Sequence, residues 1–220
     1  MPSIKNEFKK KGYIVIKEAI PKYLSSFLTG YFLLKRRVVR TFLDTRFISP
    51  FAAEWGGWTD KQVPNTYSHY ADIAMENLLQ MMRPLMEQKT GLKLVPTYSY
   101  ARIYKNGDVL HRHKDRESCE ISTTLFLGGI PWSIFIEPNR KKGKETVHGY
   151  MSDNTKGREV LLAPGDMLIY RGCELEHWRE AFKGEYCVQV FLHYNRQGKN
   201  DNKFDGRPFL GLPTSFRDKK

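Results

Sequence analysis

The chain has 220 residues, of which 40% are hydrophobic and 13% aromatic, so it is too apolar for a disordered polymer and suits one domain with its own core. Its formal net charge of +12 permits attraction to nucleic acid or to acidic partners. No apolar stretch approaches the roughly eighteen residues of a membrane span, and residues 1–5 do not resemble a secretion signal. We therefore expect a cytoplasmic protein that does not interact with membranes. Its three scattered cysteines are expected to be reduced thiols.

The first half of the chain predicts one strand and two helices. The β-branched run at 13–16 indicates a strand, and Pro21 suits the first turn of a helix that runs to about Arg40. Residues 47–66 are rich in Pro, Gly and Trp and predict a long loop, which is often functional in a compact domain. A second helix is expected from about 70 to 89.

The second half predicts short strands separated by turns. We expect a jelly roll of two sheets, with the helices of the first half packed on one of them, which is an α+β fold. The predicted domain covers residues 1–195, with the helical part at 1–94 and the jelly-roll core at 95–195, followed by a basic tail at 196–220. The basic cluster at 35–40 and the tail are interpreted first as solvated surfaces. The predicted strands are 98–104, 121–127, 132–137, 160–163, 167–170 and 186–194.

Three residues form a candidate metal site. His113 and Asp115 are two residues apart, so on a strand both side chains would face the same ion. His177 follows a later predicted strand and could supply a third ligand. Two histidines and one carboxylate leave open positions on the metal, an arrangement that suits Fe(II). A lone His-x-Asp is a weak signal, and His111 is a competing ligand that would instead indicate zinc or copper.

Four segments resemble the prolyl 4-hydroxylase-like branch of the Fe(II)- and 2-oxoglutarate-dependent oxygenases. They are Arg102-Ile103-Tyr104-Lys105-Asn106-Gly107-Asp108, His113-Lys114-Asp115, Gly165-Asp166-Met167-Leu168-Ile169-Tyr170, and His177. The resemblance covers about residues 95–195 and implies a double-stranded β-helix. It also implies Fe(II) on His113, Asp115 and His177, with these residues as the catalytic centre. 2-Oxoglutarate and O₂ would be co-substrates, succinate and CO₂ co-products, and ascorbate a supporting reductant.

The sequence departs from this branch where 2-oxoglutarate is anchored. The branch places an Arg or Lys on the last strand, but this chain has Tyr186, Cys187 and Val188 there. Arg102 and Arg179 are alternative partners for the far carboxylate of 2-oxoglutarate. Tyr104 resembles the tyrosine that hydrogen-bonds this co-substrate in related enzymes. Thr124 and Gln189 are further candidates for lining the same pocket.

The substrate is open at this stage. The resemblance favours hydroxylation of a peptide, protein or amino acid, with Arg116 and Trp58 as candidate substrate-binding residues. Arg116 could instead pair with Glu117 or Glu120. The net charge and the Trp- and Tyr-bearing loop favour a second class, a nucleic-acid dealkylase or base oxygenase. A jelly-roll binding module without catalysis is the third alternative.

Overall fold

A computed structural model of the chain describes residues 4–147, 149–198 and 202–217. It contains three α-helices, which are α1 (Ile4–Lys11), α2 (Lys22–Asp44) and α3 (Ile73–Thr90). Helix α2 begins directly after Pro21, as predicted. Helix α3 is capped by Asp72, whose side chain accepts the Met75 N–H, and it is followed by Gly91 in the left-handed conformation. Within the described residues, no helix has the length and apolarity needed to cross a membrane.

The described residues also contain twelve strands. In chain order they are β1 (Tyr13–Ile16), β2 (Tyr67–Tyr70), β3 (Leu94–Lys105), β4 (Leu110–His113), β5 (Ile121–Gly129), β6 (Ile134–Ile136), β7 (Lys144–Thr146), β8 (Gly149–Met151), β9 (Arg158–Val160), β10 (Met167–Tyr170), β11 (His177–Arg179) and β12 (Tyr186–Arg196). A six-stranded sheet has the order β1-β10-β5-β12-β3-β2, and a four-stranded sheet has the order β4-β11-β6-β9. Strands β7 and β8 form a separate hairpin.

Helix α1, strands β2 and β11 and the β7–β8 hairpin were not predicted, and one predicted strand is shifted. The strand expected at 160–163 ends at Val160. The Asp166 carboxylate accepts the Ala163 N–H at 2.9 Å and closes a turn there, so these residues cannot continue the ladder.

Alternation along the strands divides the interior into two cores. On β12, Val188, Val190 and Leu192 face the helices and join a core with residues of α2 and α3. The opposite face, which includes Phe191, packs toward the four-stranded sheet and belongs to a second core that contains Ile134. The helices therefore cover only one face of the larger sheet, and the predicted α+β jelly roll is confirmed.

The segment predicted as a basic tail packs against the domain where it is described. Strand β12 continues to Arg196, and residues 202–217 contain two short 3₁₀ turns. Arg207 is only 3% exposed. The predicted basic residues Lys199, Lys219 and Lys220 lie outside the described residues.

Candidate metal centre

The two sheet-borne histidines of the site are brought together by strand pairing. Strands β4 and β11 are antiparallel, and their register places His113 opposite His177. The two imidazole ring centroids are 4.2 Å apart. Because both side chains project from adjacent strands toward the space between the sheets, they can bind one ion together.

Asp115 reaches the same point from outside the strand. Strand β4 ends at His113, so the prediction that both residues of His-x-Asp share one strand face is wrong. The Asp115 backbone N–H instead donates to the Gly172 carbonyl at 2.9 Å, and the Ser122 hydroxyl donates to its Oδ2 at 2.7 Å. Its Oδ1 lies 3.6 Å from His113 Nε2 and 3.5 Å from His177 Nε2. Asp115 therefore reaches the site from the loop that follows β4 and not from the strand itself.

The tautomer of each histidine follows from its backbone contact. His113 Nδ1 lies 2.8 Å from the His111 carbonyl, and His177 Nδ1 lies 3.0 Å from the Leu175 carbonyl. A carbonyl oxygen only accepts, so each Nδ1 carries the proton and each Nε2 presents its lone pair toward Asp115. Burial, assisted by the neighbouring His177, lowers the pKa of His113 to about 4, so this imidazole is neutral near pH 7. Neutral imidazoles are the form that binds metals.

Asp115 is ionised in this environment. Burial alone would raise the pKa of its carboxyl group, but electrostatic interactions with the surrounding histidines, His177 foremost, outweigh burial and hold the pKa well below its usual range. The site therefore combines an ionised carboxylate with two imidazole nitrogen donors.

His111 does not join the site because the ladder shifts register beside it. His177 pairs with His113, but Arg179, two residues on, pairs with Leu110, three residues back. The extra residue on β4 breaks the alternation, so Leu110 and His113 both face inward while His111 is exposed. This geometry selects His113 over His111, which the sequence alone left open.

A cavity of about 250 Å³ opens onto the three candidate ligands. Arg102 is the other predicted site residue on its wall. Its guanidinium is already engaged, because Nε donates to Asp60 Oδ2 at 2.7 Å, NH2 to Gln62 Oε1 at 2.6 Å and NH1 to the Tyr104 hydroxyl at 3.2 Å. Asp60 and Gln62 belong to the predicted long loop, so Arg102 fixes that loop over the cavity.

Arg179 lies deeper, behind the cavity wall. Its side chain is 1% exposed, and it donates to the Trp132 carbonyl and to Thr124 Oγ1, the latter at 3.1 Å. Its Nε has no hydrogen-bond acceptor, and no carboxylate among the described residues forms an ion pair with it. Burial lowers the pKa of this guanidinium. Arg179 is thus a buried cation without a charge partner.

Thr124, Gln189 and Tyr104 surround Arg179. The Thr124 hydroxyl donates to Gln189 Oε1 at 3.0 Å, which leaves its lone pairs for Arg179. Tyr104 is fully buried and packs edge-on against Trp132, with ring centroids 4.8 Å apart. All the predicted co-substrate residues therefore lie inside the roll, but only Arg102 lines the cavity.

The two predicted substrate-binding residues lie outside the cavity. Arg116 forms a bidentate ion pair with Asp205, at 2.8 and 2.7 Å, and not with Glu117 or Glu120. Trp58 packs on Tyr67 at 4.9 Å between ring centroids. It lines a neighbouring groove of about 710 Å³, which shares Asp60 and Tyr100 with the metal-site cavity. Their proposed contact with substrate stays a prediction.

Two supporting residues have no sequence motif that marks them. Ser122 bridges Asp115 and His193, whose Nδ1 lies 3.0 Å from the Ser122 hydroxyl. Gly172 approaches so closely that a Cβ there would lie 2.6 Å from Ser122 Oγ and closer still to Asp115 Oδ2. The pairing of β5 with β12 places Ser122 opposite His193, and this register is visible only in the structure.

The donor set fits a divalent transition metal with open positions. One ligand atom from each of His113, Asp115 and His177 lies within 4.8 Å of the others. Two imidazole nitrogens and one carboxylate on one side of an ion suit non-haem Fe(II), whereas structural zinc sites prefer four protein ligands. The backbone carbonyls that orient both imidazoles and the Ser122 hydroxyl that orients the carboxylate are already in place.

The fold is a double-stranded β-helix, and the solved structures that resemble it include proteins described as a prolyl-4-hydroxylase and as an α-ketoglutarate-dependent epimerase. A prolyl-4-hydroxylase from Pseudomonas putida matches with a TM-score of 0.57 at 14% identity, over 89% of this chain and 98% of its own. The non-haem α-ketoglutarate-dependent epimerase SnoN from nogalamycin biosynthesis matches with a TM-score of 0.63 at 14% identity, over 96% and 90%. HygX from Streptomyces hygroscopicus, solved with nickel and 2-oxoglutarate bound, matches with a TM-score of 0.56 at 12% identity, over 88% and 86%.

Sequence comparisons add no nearer relative, because no family model and no curated protein sequence matches the chain. The resemblance drawn from the four sequence segments is therefore confirmed by structure, at the level of the fold.

Proposed function

We propose that the chain is an Fe(II)- and 2-oxoglutarate-dependent oxygenase whose metal is held by His113, Asp115 and His177. The observation that carries the proposal is the convergence of two imidazole Nε2 atoms and one ionised carboxylate at a cavity, each locked by its own backbone or hydroxyl contact. Bound there, iron and 2-oxoglutarate would supply the oxidation of a substrate C–H bond by O₂, with succinate and CO₂ as co-products.

The residues of the chain would serve this chemistry by position. His113 and His177 keep their Nε2 atoms aimed at one point because their Nδ1 protons are fixed on carbonyls. Ser122 holds one oxygen of Asp115, which leaves the other for the metal. The apolar core between the sheets shields the site from water on its inner side.

We assign the far carboxylate of 2-oxoglutarate to Arg179 in preference to Arg102. Arg102 already has a carboxylate partner in Asp60, with its NH2 atom 2.5 Å from Oδ2. Arg179 has no such partner among the described residues, and a buried unpaired cation gains most from an incoming carboxylate. Because Arg179 is enclosed and does not line the cavity, this assignment requires the cavity wall to open toward it when the co-substrate binds.

The reaction class is tested by supplying Fe(II), 2-oxoglutarate and ascorbate and measuring succinate. We expect slow turnover even without a primary substrate. Complete absence of succinate, with and without candidate substrates, would contradict the proposal.

The ligand assignment has a matched control in the neighbouring histidine. His177→Ala is expected to abolish binding of Co(II), used as a stand-in for Fe(II), whereas His111→Ala keeps it because His111 is exposed and faces away. Equal loss in both variants would show that the histidines act through the fold.

The carboxylate anchor is tested by comparing two arginines. Arg179→Met is expected to raise the KM for 2-oxoglutarate by about 10- to 100-fold, the equivalent of about 1.5–3 kcal/mol for a charge-assisted hydrogen bond. Arg102→Met is expected to act mainly through the Asp60 loop, with a smaller effect on this KM. The reverse order of effects would make Arg102 the anchor.

For the primary substrate we propose a peptide, protein or amino acid that is hydroxylated. The cavity of about 250 Å³ accommodates the co-substrate and a small reacting group, and the adjoining groove of about 710 Å³ offers room for the remainder. Stimulation of succinate release by proline-containing peptides would support this class. The fold itself is shared by proteins described as a prolyl hydroxylase and an epimerase, so it does not choose the outcome.

A nucleic-acid substrate is the second candidate, favoured by the +12 charge and by Trp58 beside Arg40 in the groove. Several cations are already paired, including Lys35 with Asp72 and Arg116 with Asp205, which reduces the charge free to bind phosphates. Binding of alkylated single-stranded DNA that weakens steeply with salt, together with turnover, would select this candidate.

A further inference from the structure

The C-terminal segment at 202–217, which we call the C-terminal strap, is anchored on a buried ion pair. Arg207 NH2 donates to Glu76 Oε1 and to the Thr97 carbonyl, both at 3.0 Å, and its Nε donates to the Phe204 carbonyl at 2.7 Å. Glu76 is 1% exposed and also accepts the Ser99 N–H at 3.0 Å. The strap is therefore fixed to both α3 and β3 and is not a loose terminus.

One turn of the strap has a strained backbone around a buried carboxylate. Phe204 and Asp205 have φ of 54° and 57°, a left-handed conformation that non-glycine residues rarely adopt in succession. Such strain persists only where the surroundings determine it. Asp205 is 2% exposed, and its oxygens accept from Tyr70, at 2.7 Å, and from Arg116 and Arg217.

Arg116 connects this carboxylate to the candidate metal site. It directly follows Asp115, and its guanidinium pairs bidentately with Asp205. The same guanidinium lies 4.5 Å from the ring centroid of Tyr98, which lines the cavity. On the other side of Asp115, Lys114 donates to the Gly143 carbonyl at 2.7 Å. The metal-binding carboxylate thus lies on a loop that is held from both sides.

We propose that Asp205 and Arg116 are positioning residues of the metal centre, so that the C-terminal strap fixes the loop carrying Asp115. This inference rests on the proposed metal site. Asp115 lies beyond the end of β4, so the ladder does not hold it and its position depends on loop contacts. Without Asp205, Arg116 would also stand as an unpaired cation beside a site that must accept a dication.

The experiment measures Co(II) affinity in the full-length chain, alongside thermal unfolding. Asp205→Asn removes the charge and keeps a residue that tolerates the left-handed conformation. We expect Co(II) affinity to fall by about 10- to 100-fold, as for other residues that orient metal ligands. Asp44→Asn is the matched control, since it removes the carboxylate of an exposed Arg40–Asp44 pair on α2, and it should leave the affinity unchanged.

The variant Arg116→Met distinguishes a positioning role of Arg116 from an effect of its charge on metal affinity. Loss of a cation near the site would by itself tighten metal binding, whereas loss of positioning weakens it, so we expect weaker binding. Because the Arg116 side chain is 46% exposed, this variant also serves if Asp205→Asn fails to fold. Unchanged affinity in Asp205→Asn, tighter binding in Arg116→Met, or an equal loss in Asp44→Asn would overturn the inference. If the unsubstituted chain bound no Co(II), the proposed metal site itself would be contradicted.

Discussion

Gly172 offers the sharpest test of how tightly the metal-site loop is packed. A Cβ at this position would lie 2.6 Å from Ser122 Oγ, and closer to Asp115 Oδ2 and to the Cys119 carbonyl oxygen. Ordinary contacts begin near 3.4 Å, so the neighbours would have to retreat by about 1 Å. The φ of Gly172 is not left-handed, so the conflict is purely steric.

The expected consequence of Gly172→Ala is a misplaced Asp115. The Cys119 carbonyl belongs to the backbone and cannot swing away, so the carboxylate and the Ser122 hydroxyl must move. A displacement of about 1 Å at a reactive site can cost about 100-fold in rate. We expect Co(II) affinity to fall by about 10- to 100-fold and the free energy of unfolding to fall by about 1–3 kcal/mol.

Gly30→Ala is the matched control for this substitution. Gly30 lies on the exposed side of α2, and a Cβ there would meet no atom within 4 Å. Alanine in a helix should stabilise the chain by about 1 kcal/mol and leave the metal affinity unchanged. Isothermal titration with Co(II) and urea unfolding measure both quantities. Natural affinity in Gly172→Ala would refute the packing argument.

Three further predictions concern the same site. Ser122→Ala, which frees Asp115 Oδ2, should weaken Co(II) binding by about 10-fold, and an unchanged dissociation constant would contradict this. Burial lowers the pKa of His193 to about 4 from its usual 6.5, so the unfolded chain takes up this proton first as the pH falls. The free energy of unfolding should therefore decrease between about pH 6.5 and pH 4, by at most about 3 kcal/mol. Urea unfolding of His193→Gln should show a weaker pH dependence. Adding Co(II) at about 100 times its dissociation constant should raise the free energy of unfolding by about 2.7 kcal/mol, and a chelator should reverse this increase. A melting temperature that changes with neither addition would contradict a metal site in the folded state.

The sequence was most informative where a pattern repeats locally. The strand at 13–16 and the helix after Pro21 were predictable because hydrophobic period and proline chemistry act over a few residues. His113 and His177 were recognisable because the ligand types and their strand context are distinctive. Their assignment as ligands remains a prediction.

The supporting parts of the site depend on contacts distant in sequence. The register shift that turns His111 outward depends on the pairing of β4 with β11. The paired residues His113 and His177 are 64 residues apart in the sequence. Asp205 pairs with Arg116 across 89 residues. A strand that ends at His113 instead of reaching Asp115 is likewise set by its pairing partner. Such features follow from tertiary packing, which local patterns do not encode.

Strand β12 has a consequence for how this protein could change its specificity. Its alternate residues Phe191 and His193 line the cavity, while the neighbouring Val190 and Leu192 belong to the helix-covered core. Substitutions at 191 and 193 would therefore change the cavity wall without entering the helix-covered core. Changing specificity at 191 or 193 would thus also alter the packing of Phe191 toward the four-stranded sheet and the contact of His193 with Ser122, so stability and specificity are coupled at these two positions.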